Sequence, residues 1–317
     1  DTDVRVYGGD FSGVTGRGST GAMEGFHAGA TRNGQVLGNS KTTLDLRTKR
    51  EEGTDRLYII DDLGDKWYCD PFVAPKNTFI TGGRTTDSGS DSTLGSSADN
   101  TITLNIYTNP GEDVLSGLNV YGDAGATAAK TNSGKIIVNI DAPDSSIGTV
   151  YATNYSNITG SSSTSKILRD VQMNLHDAKS ITGLSGGNPS DDFTNDIVSR
   201  STNRSVIKVG EDNDDTSEIS VLTNGVSNFT SLSVDSKMLM AVGGPVVNGG
   251  AYRSSSVGVS AANHGTKYHL FGDITLKNGG GIGIAGNSSN TTIISGSTLT
   301  LQGECYIKSP AGSGRIN

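Results

Sequence analysis

Apolar and polar residues alternate in short runs from one end of the chain to the other, and each run closes on Gly, Asn, Ser or Asp. Val4-Arg5-Val6, Thr42-Thr43-Leu44-Asp45-Leu46, Ile102-Thr103-Leu104-Asn105-Ile106, Ile136-Ile137-Val138-Asn139-Ile140, Val171-Gln172-Met173-Asn174-Leu175 and Leu299-Thr300-Leu301 all follow this pattern. A period of two turns one face of each run toward a core, and turn residues at short intervals leave no room for helices. The pattern predicts an all-β chain of short strands. A strand-end Tyr also recurs, in Val6-Tyr7-Gly8-Gly9, Val120-Tyr121-Gly122-Asp123 and Val150-Tyr151-Ala152-Thr153. Self-similarity of this kind marks a stack of repeats rather than one closed sandwich.

Composition sharpens this reading. Of 317 residues 44 are Gly, yet there is no Gly-X-Y period, which excludes collagen. An apolar content of 33% would by itself point to disorder, but the alternation argues for a slender stack whose narrow core needs few large side chains. A net charge of −8 without a basic stripe speaks against nucleic acid, because phosphate contacts need clustered Lys and Arg. No apolar run is long enough to span a bilayer. The expectation is a single domain over residues 1–317, monomeric and not inserted in a membrane. Because the chain starts and stops inside strand-like text, it reads as a piece of a longer protein that carries any signal or wall anchor elsewhere.

Residues 47–80 break the alternation. Arg47-Thr48-Lys49-Arg50-Glu51-Glu52 is a charge cluster, and Arg56, Tyr58, Trp67, Tyr68, Phe72 and Phe79 follow in a chain with only 6% aromatics. Two readings stand side by side. One is a lateral arm or cap on the stack, with the aromatics as its small core. The other is a ligand platform in which Tyr58, Trp67 and Tyr68 stack on sugar rings while Arg47, Arg50 and Arg56 hold hydroxyls or carboxylates.

Other polar clusters carry weaker chemistry. Asp212, Asp214 and Asp215 offer hard oxygen ligands that suit Ca²⁺, the one cofactor the sequence raises, but the loop lacks the Gly and terminal Glu of an EF-hand, and a solvated acidic turn is the better account of it. Asp191-Asp192, Asn195-Asp196, His264-Gly265 and Ile307-Lys308 resemble fragments of polygalacturonase-like sites, where paired carboxylates act as acid and base. Their order departs from that family's, and the His lies far from the Asp pair. His27, His176 and His269 are isolated and show no metal-ligand spacing.

Taken together, Val6-Tyr7-Gly8-Gly9-Asp10-Phe11-Ser12-Gly13, Val150-Tyr151-Ala152-Thr153-Asn154-Tyr155-Ser156, Gly279-Gly280-Gly281-Ile282-Gly283-Ile284 and Leu299-Thr300-Leu301-Gln302-Gly303 resemble the pectate-lyase-like adhesive β-helix domains of Gram-positive surface proteins. The resemblance covers most of the chain and rests on repeat grammar. It implies a right-handed parallel β-helix, a β-solenoid in a single stack, displayed on the bacterial cell surface outside the cell. It further implies a non-catalytic adhesin that binds a host or plant glycan or a matrix protein. A polysaccharide-cleaving hydrolase or lyase and a structural stalk are the alternatives.

The two cysteines leave three possibilities open: a disulfide, two buried thiols, or an internal thioester. With roughly 22 residues per coil, as in β-helix families, Cys69 and Cys305 fall about 10 to 11 coils apart. At roughly 4.8 Å per coil that is on the order of 50 Å, far beyond the reach of a disulfide. A thioester would use Cys305 with Gln302, in Gln302-Gly303-Glu304-Cys305, or Cys69 in Tyr68-Cys69. Such an adhesin would capture amines covalently.

Overall fold

The computed structural model describes residues 1–12, 29–31, 35–74, 79–85, 93–115, 117–127, 134–157, 169–187, 204–210, 219–221, 226–235, 238–240, 257–259, 269–278, 281–284, 291–293, 297–303 and 305–308. Every regular element among them is a strand, and most strands run parallel in one 16-stranded sheet. Along its main path Thr2–Val6, Ser40–Leu46, Thr101–Thr108, Lys135–Asn157, Val171–Ser185, Ser205–Val209, Phe229–Asp235 and His269–Lys277 follow one another, and Leu299–Gln302 pairs beyond them. Spatial order is chain order. Each excursion of the chain returns to add one parallel rung beside the last.

The alternation read from the sequence is what aligns these rungs. Leu44, Ile106, Ile140, Leu175, Val209, Val234 and Leu276 are successive register partners and form one inward row, each at most 1% exposed. Leu104, Val138, Met173, Ile207 and Leu232 form the parallel row two residues earlier, and all five are fully buried. Burying each such side chain stabilises the stack by about 1.5–3 kcal/mol. The rows lose cover at the two ends, where Val4 is 37% and Leu301 50% exposed.

A second face closes the core. Phe79–Thr85 and Leu118–Thr127 pair in parallel, and Leu118–Thr127 pairs in turn with the later part of Lys135–Asn157. This face contributes its own inward row: Ile80, Val120, Val150, Leu184 and Val226. Short strands are therefore only part of the picture. Lys135–Asn157 has 23 residues and Val171–Ser185 has 15, because each turns a corner without losing its pairing and so serves both faces. At the corner the register shifts between Ala142 and Ser146, and Asp144 takes a left-handed φ of 61°.

The coil length expected from the sequence needs correction. Hydrogen-bonded partners on neighbouring rungs lie 25 residues apart at Ser205 and Thr230, 34 at Asn105 and Asn139, 35 at Asn139 and Asn174, and 62 at Thr43 and Asn105. Loops and the antiparallel segment 49–69 sit between rungs and lengthen the excursions, whereas Phe79 and Ile80, at the end of the stretch that the sequence sets apart, belong to the parallel sheet. Cys69 and Cys305 are then separated by about seven rungs, or roughly 34 Å at the usual strand spacing. Both are free thiols and half-buried.

Where the two faces converge, the sheet has no room for side chains. A Cβ on Gly122 would press into Ile136 and stand 2.6 Å from the Ala152 carbonyl oxygen, and one on Gly82 would stand 2.9 Å from the Thr103 and Gly122 carbonyl oxygens. Ser40 on the opposing rung uses the same proximity, its hydroxyl donating to the Gly82 carbonyl at 2.6 Å. Beside this corner Arg169 and Asp123 form an ion pair with both side chains almost fully buried.

Two stability predictions follow from this packing. Gly122→Ala is expected to cost about 1–3 kcal/mol through overpacking, read from the urea midpoint at unchanged m-value. Asp123→Ala strands the Arg169 guanidinium and is expected to cost about 3–5 kcal/mol. Wild-type midpoints for both variants would show that the two faces do not meet as described.

Candidate functional site

Between Ser40–Leu46 and Phe79–Thr85 the chain leaves the parallel sheet and builds the lateral arm that the 47–80 segment predicted. Lys49–Arg50, Leu57–Ile60 and Lys66–Cys69 form a separate antiparallel sheet. Its second turn is fixed by Asp61, whose Oδ1 accepts the Leu63 amide at 2.9 Å and the Asp65 amide at 3.0 Å, with Gly64 in the left-handed region at φ 86°. Such Asx geometry lets a short carboxylate stand in for a backbone acceptor.

Alternation across the arm separates the residues that the sequence groups as one platform. Tyr58 pairs with Tyr68, while Trp67 pairs with Ile59, so Trp67 projects from the face opposite the two tyrosines. Nor do the aromatics form a core. Trp67 is 50% and Tyr68 45% exposed, and the buried residue of the arm is Ile59 at 3%.

The tyrosine face carries its own cations. Arg56 lies over Tyr68 at 3.6 Å, and the Lys66 ammonium lies 4.1 Å from the centre of the Tyr58 ring and 4.8 Å from that of Tyr68. Glu51 Oε1 accepts from Lys66 Nζ at 2.7 Å and from the Tyr68 hydroxyl at 2.6 Å. These donors, Lys66 first, hold the Glu51 carboxyl below its ordinary range, and Glu51 raises Lys66 in return. Ring faces that a sugar would stack on are thus occupied by guanidinium and ammonium groups. Arg50 is engaged elsewhere, with Asp55 at 2.8 Å.

The arm's turn leans over the outward side of the first rungs, where Arg5 Nη1 meets Asp62 Oδ2 at 3.6 Å. A cleft of about 270 Å³ lies between them. Lys41, Thr43 and Asp45 form part of its floor, Asn105 and Tyr107 on the next rung the remainder, and Arg5 and Tyr7 flank it. Arg47 spans one side: its Nε and Nη2 reach the two Asp45 oxygens at 2.9 and 2.6 Å, and its Cζ stands 4.5 Å over the Tyr107 ring. The Asp45 hydrogen bonds push the Arg47 guanidinium up, and burial pushes the Tyr107 phenol up. Trp67 reaches the cleft indirectly, its indole N–H donating to Asp61 Oδ2 at 2.9 Å.

An amide ladder runs out of this cleft across the sheet. Asn105 Nδ2 donates to Thr43 Oγ1 at 3.2 Å, Asn139 Nδ2 to Asn105 Oδ1 at 2.8 Å, and Asn174 Nδ2 to Asn139 Oδ1 at 2.7 Å. Every amide points the same way, and the ladder ends on a Thr that lines the cleft. The sequence carried its signal, the same Asn between two inward positions in Leu104-Asn105-Ile106, Val138-Asn139-Ile140 and Met173-Asn174-Leu175. Read singly, each Asn is only a polar outward residue.

Of the residues singled out by sequence, Arg47 lies in the cleft and Trp67 supports it; Tyr58, Tyr68 and Arg56 gather on the arm's other face. Asp212, Asp214 and Asp215 lie outside the described residues, as do Asp191, Asp192, Asn195, Asp196, His27 and His264. Among the described residues no three His, Cys, Asp or Glu side chains are grouped to hold a metal ion, and no helix is long and apolar enough to cross a membrane. The Cys305 thiol lies 3.2 Å from the Leu276 carbonyl oxygen and 3.3 Å from that of Gln302. Burial pushes the Cys69 thiol up, away from a nucleophilic thiolate.

Trp67 is the only Trp in the chain, so its fluorescence reports the turn directly. The indole hydrogen bond, followed by the turn amides, holds the Asp61 carboxyl below its ordinary value. A lowered folded pKa means that the contact is intact above the ordinary value and is lost as pH falls through the lower one. The emission is therefore expected to stay flat from neutral pH into mild acid and to change with a midpoint below the ordinary aspartate range. A midpoint at or above that range would remove the Trp67–Asp61 contact from the site.

No protein-family model, curated protein or solved structure matches the chain.

Proposed function

We propose that the chain is a right-handed parallel β-solenoid in one stack and that it serves as a non-catalytic adhesin at a Gram-positive cell surface. In this reading it holds an extracellular glycan along the outward face of its first rungs. One observation carries the proposal: the cleft under the arm continues into the Thr43, Asn105, Asn139 and Asn174 row, one hydrogen-bonding side chain per rung. Rungs spaced about 4.8 Å apart offer an extended hydroxyl-rich polymer a regular set of weak contacts, which add because they lie on one rigid body. The arm covers one end of this row, at Thr43 and Asn105.

Retention of the purified chain on immobilised polysaccharides, mucins and matrix proteins, with and without Ca²⁺, tests this reading while the supernatant is assayed for released sugar. Retention on a glycan without release is expected. Loss of retention on chelation would bring the Asp212, Asp214 and Asp215 carboxylates into the function as Ca²⁺ ligands. Trp67→Ala frees the Asp61 turn and is expected to weaken retention by roughly tenfold, about 1.4 kcal/mol. Released sugar would replace the adhesin with a hydrolase or lyase, and no retention on any surface would leave a stalk.

A further inference from the structure

We propose that the cleft beneath the arm is built for a neutral glycan and rejects acidic ones. The inference rests on the glycan-binding reading and names its ligand class. Sequence alone points the other way, since Arg47, Arg50 and Arg56 look ready for a carboxylated or sulfated polymer. The structure gives the first two carboxylate partners of their own. Arg47 is held at both terminal oxygens of Asp45, and Arg50 pairs with Asp55. Arg5 meets Asp3 at 3.4 Å and Asp62 at 3.6 Å. Arg56 is spent on the Tyr68 ring on the far face of the arm.

Within the cleft the balance is even. Arg5, Lys41 and Arg47 face Asp45, Asp61 and Asp62, and the chain around them carries a net charge of −8. An acidic polymer would approach against that field. On arrival it would meet one cation without an ion pair among the described residues, Lys41; to engage Arg47 as well it would have to draw it from Asp45, whose side chain is only 12% exposed and would be left uncompensated beneath the ligand.

A neutral sugar meets no such obstacle. Its hydroxyls both donate and accept, and the cleft offers the exposed Asp62 carboxylate and the Lys41 ammonium, with the Thr43–Asn105 ladder contact nearly buried in the floor between the rungs. Lys41 lines the cleft and has no ion pair among the described residues, so its ammonium can donate to a ligand. Tyr7 adds ring surface at the side.

The test compares neutral polymers (dextran, galactomannan and xyloglucan) with polygalacturonate and hyaluronan, each between about 0.1 and about 1 M NaCl, a range over which the Debye length falls from about 10 to about 3 Å. Retention on at least one neutral polymer, unchanged across the salt series, is expected, with none on the acidic pair. Tyr7→Ala should then weaken neutral binding about tenfold at unchanged thermal midpoint. Asp45→Asn, which releases Arg47, should add salt-sensitive retention on polygalacturonate. Wild-type retention on acidic polymers that fades with salt would overturn the neutral assignment while leaving the adhesin standing. Neutral binding untouched by Tyr7→Ala would overturn this cleft as the site. No retention on any of the polymers would overturn the glycan-binding reading itself, and this inference with it.

Discussion

In-register parallel pairing is the constraint from which the remaining features descend. When each rung lies beside the last with no slip, residues of one parity stack into rows, one set turned to the core and the other turned outward. Leu44 to Leu276 is a row of the first set and Thr43 to Asn174 a row of the second. Magnitudes divide the work between them. Each inward side chain contributes about 1.5–3 kcal/mol, whereas a ladder amide bond contributes about 1 kcal/mol net. The inner rows therefore supply the cohesion. The amides supply the register, because a slip of one residue would carry Asn105, Asn139 or Asn174 into the core without partners.

The same constraint accounts for the arm. Between Thr43 and Asn105 the chain spends 62 residues on one step, against 34 and 35 for the next two. The surplus cannot enter the narrow core, so part of it folds on itself as an antiparallel sheet, the pairing that short turns permit. Having little apolar surface to bury beyond Ile59, this sheet leaves Trp67 and Tyr68 half in solvent and stabilises them by cation–π and charge-assisted contacts. Its Asp61 turn then falls back over the rungs that flank the insertion. The cleft exists because the arm is inserted there.

Legibility in the sequence followed the range of the interactions. Strand character was plain in Ile102-Thr103-Leu104-Asn105-Ile106 because period-two alternation is local, and composition marked 47–80 as a break in that alternation while leaving arm and ligand platform both open. Coil length was not legible. Turns of different length between rungs leave no fixed period to count, and corner-turning strands such as Lys135–Asn157 look like two short ones. The cleft was hidden for a related reason: Arg5, Asp45 and Asn105 become neighbours only through register. Partnership was hidden too. Arg47 reads as a free cation until its position two residues after Asp45, just past a strand end, folds the guanidinium back onto the carboxylate.

Internal pairing of this kind lowers the pull that exposed arginines exert on an anionic ligand. Formal charge counts each guanidinium as an attraction, but a ligand responds to the charge that remains after internal pairing. Arg47, Arg50 and Arg5 are each tied to an Asp within a few residues or across the arm, at separations of 2.6 to 3.6 Å. At such distances the pair presents a dipole, whose field fades faster than that of a lone charge and is further screened by salt. What remains is the geometry of the planar groups. Guanidinium, carboxylate and amide each offer paired donors or acceptors in a plane, and a hydroxyl-bearing ligand needs that arrangement without needing charge.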